Sequence, residues 1–68
     1  MRDAEGALED YAQAIAANPR LVEAYASRAT LFHERGEREA AAADARRALE
    51  LAPADWPYRK RLEELARP

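Results

Sequence analysis

The sequence repeats itself once at an interval of 34 residues. The segment ALEDYAQAIAANP, residues 7–19, aligns with AAADARRALELAP, residues 41–53. Four positions are identical between the two segments: Ala7, Asp10, Ala14 and Pro19 recur as Ala41, Asp44, Ala48 and Pro53. A fixed period of about 20–50 residues is typical of solenoids, in which each unit buries its apolar face against its neighbours. The repeat therefore predicts a short stack of helical units.

Proline and glycine divide the chain into four predicted helices. Alanine and charged residues dominate while valine, isoleucine and threonine are scarce, and this balance favours helix over strand. We predict helices from an N-cap at Asp3 to Ala17, from Leu21 to Arg35, from Glu37 to Leu51, and from Trp56 or Pro57 onward. Pro19 and the segment APADWP interrupt the helices, and Gly36 ends the second helix in the left-handed conformation. Connections this short make neighbouring helices antiparallel.

The alanine-rich third helix is predicted to receive bulky side chains from the second and fourth helices. Alternating large and small residues let helices cross closely. We expect Ala41, Ala45 and Ala48 to be buried, and Ala40 and Ala43 to face solvent. Near the same contact, Arg28 is predicted to pair with Asp44, and Asp10 offers an alternative partner. Such a pair would fix the register of the helices.

These features resemble the tetratricopeptide repeat family over essentially the whole chain. Residues 22–55 match one complete repeat, with Tyr25 and Phe32 at its two aromatic positions, Ala29 at its small position and Pro53 at its terminal proline. Residues 1–21 resemble the second helix of a preceding repeat. Residues 56–68 resemble the first helix of a following repeat or a capping helix. The resemblance implies a single all-α domain over residues 1–68, wound as a right-handed superhelix, although Ala45 replaces a large aromatic of the motif.

Composition disfavours several classes of partner. The 68 residues include no cysteine and carry a formal net charge of −2, without the basic excess that is typical of a nucleic-acid-binding domain. No apolar run approaches the ~20 residues of a membrane span, and no signal-peptide core is present. We therefore expect no nucleic-acid partner, no membrane partner and a cytoplasmic location.

The side chains predict no catalytic chemistry. His33 is the single histidine, and Ser27 points to a different side of the second helix. Thr30 shares the face of His33, but no third group orients the pair as a nucleophile and base require. Neither a set of ligands with metal-binding spacing nor a glycine-rich phosphate loop is present. We predict a non-enzyme with no metal and no cofactor.

One basic cluster, YRKR at residues 58–61, combines an aromatic ring with three cations. It is the best nucleic-acid candidate in the chain. We interpret it instead as a solvated helix face balanced by Glu63 and Glu64, with an anchor for an acidic peptide as the other reading.

The family resemblance implies a binding groove. In this family the first helix of each repeat lines a concave surface that binds an extended peptide or a partner helix. The matching residues here are Glu23, Ser27, Thr30 and His33 on the second helix, and Lys60 and Arg61 on the fourth. A subclass holds a C-terminal carboxylate with lysine, arginine and asparagine. Only Lys60 and Arg61 fit that scheme, so binding of such a C-terminal tail is disfavoured, and a solvated polar face without a ligand stays open as the alternative.

Self-association is the alternative function. The first and last helices each lack one neighbour that a longer array would supply, so apolar side chains at both ends are expected to remain partly exposed. The residues concerned are Leu8, Tyr11 and Ile15 at one end, and Trp56, Tyr58 and Leu65 at the other. An exposed apolar patch of more than a few hundred Å² commonly marks an association site. This alternative predicts a homo-oligomer.

Overall fold

The computed structural model describes residues 4–67 of the chain. Its elements are α1 (Ala4–Ala17), α2 (Val22–Glu34), α3 (Arg38–Leu51) and α4 (Arg59–Leu65). These residues include no strand. The all-α prediction with four helices is therefore confirmed, and the predicted cap at Asp3 lies outside the described residues.

The turn between α1 and α2 is built by Asn18 and Pro19. The Asn18 amide donates to the carbonyl of Ala14 at 2.9 Å and closes α1. The Asn18 side-chain oxygen accepts from the amide of Arg20 at 3.2 Å, and the Asn18 backbone carbonyl accepts from the amide of Leu21 at 3.1 Å. An asparagine that binds the backbone two residues ahead stabilises a turn, so α1 ends where the sequence predicted.

Gly36 ends α2 in the predicted left-handed conformation, with φ at 82°. The amide of Gly36 donates to the carbonyl of His33 at 3.0 Å, and the amide of Glu37 donates to the carbonyl of Phe32 at 2.9 Å. These two bonds form a Schellman motif, which satisfies carbonyls at the end of a helix. A salt bridge of 3.0 Å from Arg35 to Glu37 spans the same turn.

Helices α2 and α3 form an antiparallel hairpin. Arg28 and Asp44, which are equally far from Gly36 along the chain, are joined by a hydrogen bond of 2.7 Å. Helix α3 also contacts α4, and α2 contacts all three other helices. Within residues 4–67, α1 contacts α2 alone. The hairpin is thus the centre of the molecule, because α1 contacts its first helix and α4 contacts both of its helices.

Three alanines of α3 are fully buried, as predicted: Ala41, Ala45 and Ala48 are each 0% exposed. The core cluster joins Ala45 and Ala48 to large side chains of the two flanking helices, Tyr25 of α2 and Leu62 and Leu65 of α4. Ala43 faces solvent as predicted, but Ala40 is half-buried and Ala42 is buried as well. The buried face of α3 is therefore wider than the predicted stripe.

Helix α4 begins at Arg59, two to three residues later than predicted. Consecutive turns precede it: the amide of Trp56 donates to the carbonyl of Pro53 at 3.1 Å, and the amide of Arg59 donates to the carbonyl of Trp56 at 3.2 Å. Pro57 has no amide hydrogen to donate. The segment 56–58 therefore forms a turn directly before α4.

Candidate functional site

A cleft of about 370 Å³ lies between α2 and the segment that leads into α4. Its α2 wall consists of Glu23, Ala26, Ser27 and Thr30. Its opposite wall consists of Trp56, Pro57, Tyr58, Arg61 and Leu62. The four α2 residues are spaced so that they share one face of the helix. The residues of the opposite wall lie in the turn before α4 and in α4 itself.

The α2 wall is polar along its rim. Glu23 and Ser27 are exposed, whereas Thr30 is half-buried. The Thr30 hydroxyl donates to the carbonyl of Ala26 at 3.1 Å, so its proton is used within the helix. Ala26 itself packs against the core cluster, and with Leu62 it makes part of the cleft apolar.

The opposite wall is dominated by two aromatic rings. The rings of Trp56 and Tyr58 are 5.6 Å apart between centroids and inclined at 75°, which is an edge-to-face contact. Trp56 is half-buried and packs against the core cluster. Tyr58 is 66% exposed and is the large apolar residue that the described chain shows most openly to solvent. One ring is thus anchored while the other is presented to the cleft.

Arg59 holds this aromatic wall in place. Its guanidinium Nη1 donates to the carbonyl of Leu49 at 3.2 Å and to the carbonyl of Ala52 at 3.3 Å. These carbonyls end α3 and have no intrahelical donor of their own. Because Arg59 is turned toward α3, the YRKR cluster does not present three adjacent cations on one surface.

The structure brings together four of the six residues that were expected in a groove. Glu23, Ser27, Thr30 and Arg61 line the cleft. His33 lies elsewhere, in a smaller cleft of about 220 Å³ with Arg38, Glu64, Leu65 and Arg67. Lys60 is exposed and lines neither of these two clefts.

The sequence assigned Trp56 and Tyr58 to the self-association surface, but both residues line the cleft. Pro57 between them was not expected there. All three residues come directly before α4, and the contact of α4 with α2 brings them to the cleft. Helical spacing could not reveal it, because the three residues lie in a turn.

The expectation that Leu65 remains partly exposed is wrong. Leu65 is 3% exposed and packs with Leu62 in the core cluster. The two leucines are three residues apart on α4 and therefore share a face, and that face lies against the alanines of α3. Of the other end residues, Tyr11 is half-buried on α1.

The predicted ion pair is outside the cleft, at the α2–α3 contact. Arg28 Nε donates to Asp44 Oδ2 at 2.7 Å and Arg28 Nη2 donates to Asp44 Oδ1 at 2.9 Å. The hydrogen bond to Asp44 raises the pKa of Arg28 above its ordinary value, and partial burial opposes this shift. The guanidinium also lies 5.8 Å from the ring centroid of Tyr25. The Arg28–Asp44 pair therefore joins the two helices of the hairpin.

Comparisons of the chain with protein-family models, with curated proteins and with solved structures found no match. Over residues 4–67, no helix is long and apolar enough to cross a bilayer. The same part of the chain contains no group of three or more histidine, cysteine, aspartate or glutamate side chains that could hold a metal ion.

Proposed function

We propose that the chain is a tetratricopeptide-like scaffold that binds a peptide or a partner helix through the cleft between α2 and α4, without catalysis. The observation that carries the proposal is the composition of the cleft. It combines the Glu23, Ser27 and Thr30 stripe of α2 with Arg61 of α4, which is where the family resemblance implies a groove. Its volume of about 370 Å³ lies in the range of small ligand sites.

The helix arrangement supports the same proposal. In a stack of helix–turn–helix units, the first helices of successive units lie side by side and line one surface. Here α2 and α4 are in contact although α3 separates them in sequence. The cleft between α2 and α4 combines apolar side chains, which provide contact area, with polar side chains, which can orient a ligand. Binding sites usually combine these two kinds of group.

Peptide titration tests the proposal. The chain has one tryptophan, and Trp56 lines the cleft, so its fluorescence reports occupancy. We expect some members of a synthetic peptide array to shift this emission saturably. Ser27→Arg should abolish the shift by filling the cleft. Ala43→Arg is a matched control, because Ala43 is also an exposed helical position but lies on α3, outside the cleft.

Saturable binding that Ser27→Arg leaves unchanged would contradict the proposal. So would an array in which no peptide perturbs Trp56. Amide chemical shifts provide a second readout, since cleft binding should perturb Ser27 and Thr30 before residues of α1.

A second function, self-association through α1, is favoured by a separate observation. Within the described chain α1 contacts α2 alone, and its Leu8, Tyr11 and Ile15 remain half-buried. A second copy that covered this face would remove that apolar surface from water. A contact between unlike ends would propagate, whereas a two-fold contact would close as a dimer.

Sedimentation over a range of concentrations tests this second function. We expect Tyr11→Ser to weaken association and Ala12→Ser to leave it unchanged, since Ala12 is exposed on the same helix. A chain that is monomeric at millimolar concentration would eliminate self-association and leave the cleft as the sole proposal.

A further inference from the structure

We propose that the occupant of the cleft is a polyproline II segment flanked by a basic residue. This inference rests on the proposed function, because it names the class of peptide that the same cleft would bind. It draws on three features of the cleft walls: the ring geometry, the hydrogen-bond donors without partners and the uncompensated charge.

The ring geometry provides a surface for proline. Trp56 and Tyr58 are inclined at 75° with centroids 5.6 Å apart, so the two rings form a corner with Pro57 between them. Tyr58 is 66% exposed, which leaves much of its surface uncovered. Aromatic-lined grooves bind proline-rich segments because the polyproline II helix is already ordered and loses little entropy on binding.

The donors match the backbone of such a segment. A polyproline II helix has no internal hydrogen bonds, and its carbonyls point outward to solvent. Trp56, Tyr58 and Ser27 line the cleft, and they carry one indole N–H and two hydroxyls. None of the three donates a hydrogen bond within the described part of the chain. They can therefore donate to peptide carbonyls, whereas the α-helix of a partner already uses its carbonyls internally.

The charge of the cleft favours a basic flanking residue. The Arg61 guanidinium is paired with Glu64 at 3.3 Å. Glu23 lines the cleft on the opposite wall, is exposed, and forms no ion pair with any residue that the structure describes. The uncompensated charge at the cleft is therefore negative. An arginine or lysine beside the proline run complements it.

The aromatic wall is organised before any peptide binds. Turns at Pro53–Trp56 and Trp56–Arg59 set the backbone, and Arg59 ties the segment to the end of α3 at 3.2 Å from the Leu49 carbonyl. A site that does not have to be ordered loses less free energy on association.

Titration of Trp56 fluorescence with defined peptides tests the inference. The probes are acetyl-Arg-hexaproline amide, acetyl-Glu-hexaproline amide and a proline-free peptide of the same length that contains alanine, leucine and arginine. We expect the Arg-hexaproline peptide to saturate the signal. The Glu-hexaproline peptide should bind about three- to tenfold more weakly, as expected for the replacement of an exposed attractive charge pair by a repulsive one.

Two variants identify the groups involved. Tyr58→Ala should weaken Arg-hexaproline binding by about tenfold or more, in the range of aromatic contact residues. Tyr11→Ala, which lies on α1 outside the cleft, is the matched control and should not change it. Glu23→Gln should remove the preference between the two hexaproline peptides. Thermal unfolding of each variant separates loss of binding from loss of the fold.

Three results would overturn the inference in different ways. If the proline-free peptide saturates the signal and neither hexaproline peptide does, the inference fails while the proposed function stands. If no peptide of any kind perturbs Trp56, both fail. Equal affinity for the two hexaproline peptides in the parent chain would overturn the role of Glu23.

Discussion

The guanidinium of Arg28 forms two hydrogen bonds with the carboxylate of Asp44, at 2.7 and 2.9 Å, across the contact of α2 with α3. The side chains are 23% and 10% exposed, so water screens the pair only partly. Bidentate geometry ties one guanidinium to one carboxylate in a single orientation. The pair therefore holds the two helices in one register, and its residues are equally far from the turn at Gly36.

Loss of the carboxylate should be costly. Asp44→Ala leaves the shielded guanidinium of Arg28 without its acceptor, and we expect a loss of about 1–3 kcal/mol in the free energy of unfolding. Glu50→Ala is the control, because it breaks an ion pair whose side chains are 53% and 66% exposed. That change should cost far less than Asp44→Ala, because water screens an exposed ion pair. Urea denaturation measures both, and equal costs would contradict a structural role for Asp44.

The buried alanines should not tolerate larger side chains. Ala45 and Ala48 are each 0% exposed, so Ala45→Leu or Ala48→Leu must displace neighbouring side chains. We expect each to destabilise the fold by about 1–3 kcal/mol through overpacking. Ala43→Leu makes the same chemical change at an exposed position and should remain within about 0.5 kcal/mol of the parent. Similar unfolding midpoints for all three variants would refute the packing argument.

Gly36 should be needed for its backbone conformation alone. Its φ is 82°, and a Cβ placed there would meet no atom within 4 Å. The cost of Gly36→Ala therefore arises from the left-handed backbone, at about 1–2 kcal/mol. Gly36→Asn should cost less, because asparagine adopts this conformation more readily. Thermal unfolding of the two variants checks this order, and an alanine variant as stable as the parent would refute it.

Substitutions of Leu65, at the end of α4, and of Tyr58, directly before α4, should differ in how strongly they destabilise the fold. Leu65 is 3% exposed, so Leu65→Ala should cost about 2–5 kcal/mol, and Leu65→Glu should abolish the fold by burying a carboxylate. Tyr58 is 66% exposed, and Tyr58→Ala should lose about 1 kcal/mol from its ring contact with Trp56. Circular dichroism during heating checks the contrast. A folded Leu65→Glu variant would show that α4 packs differently.

Arg59 does not line the cleft, but it should hold the aromatic wall of the cleft in position. Arg59→Met removes the donor to the carbonyls of Leu49 and Ala52, and we expect a loss of about 1–2 kcal/mol in stability. It should also shift the emission of Trp56, because the turn that carries this ring loses its tether. Lys60→Met is the matched control at an exposed position. Identical emission from the two variants would mean that the turn holds without Arg59.

The C-terminal ends of α1, α2 and α3 were predictable from the sequence, because the residues that end a helix lie close to its last turn along the chain. Asn18 closes α1 through hydrogen bonds that reach at most four residues along the chain, and Gly36 ends α2 by its own conformation. The burial of Ala41, Ala45 and Ala48 followed from the expectation that the third helix receives bulky side chains from the second and fourth helices. The sequence offered Asp44 and Asp10 as ion-pair partners of Arg28, and the structure pairs Arg28 with Asp44.

The placement of α4 was decided by tertiary structure. No local pattern specified that α4 begins at Arg59, that Leu65 is buried, or that Trp56 and Tyr58 line a cleft with α2. Those outcomes depend on how a short helix rotates to cover the alanines of α3, and on Arg59 reaching the last carbonyls of that helix. Sequence spacing describes one helix at a time, whereas the cleft exists only where α2 and the turn before α4 approach each other.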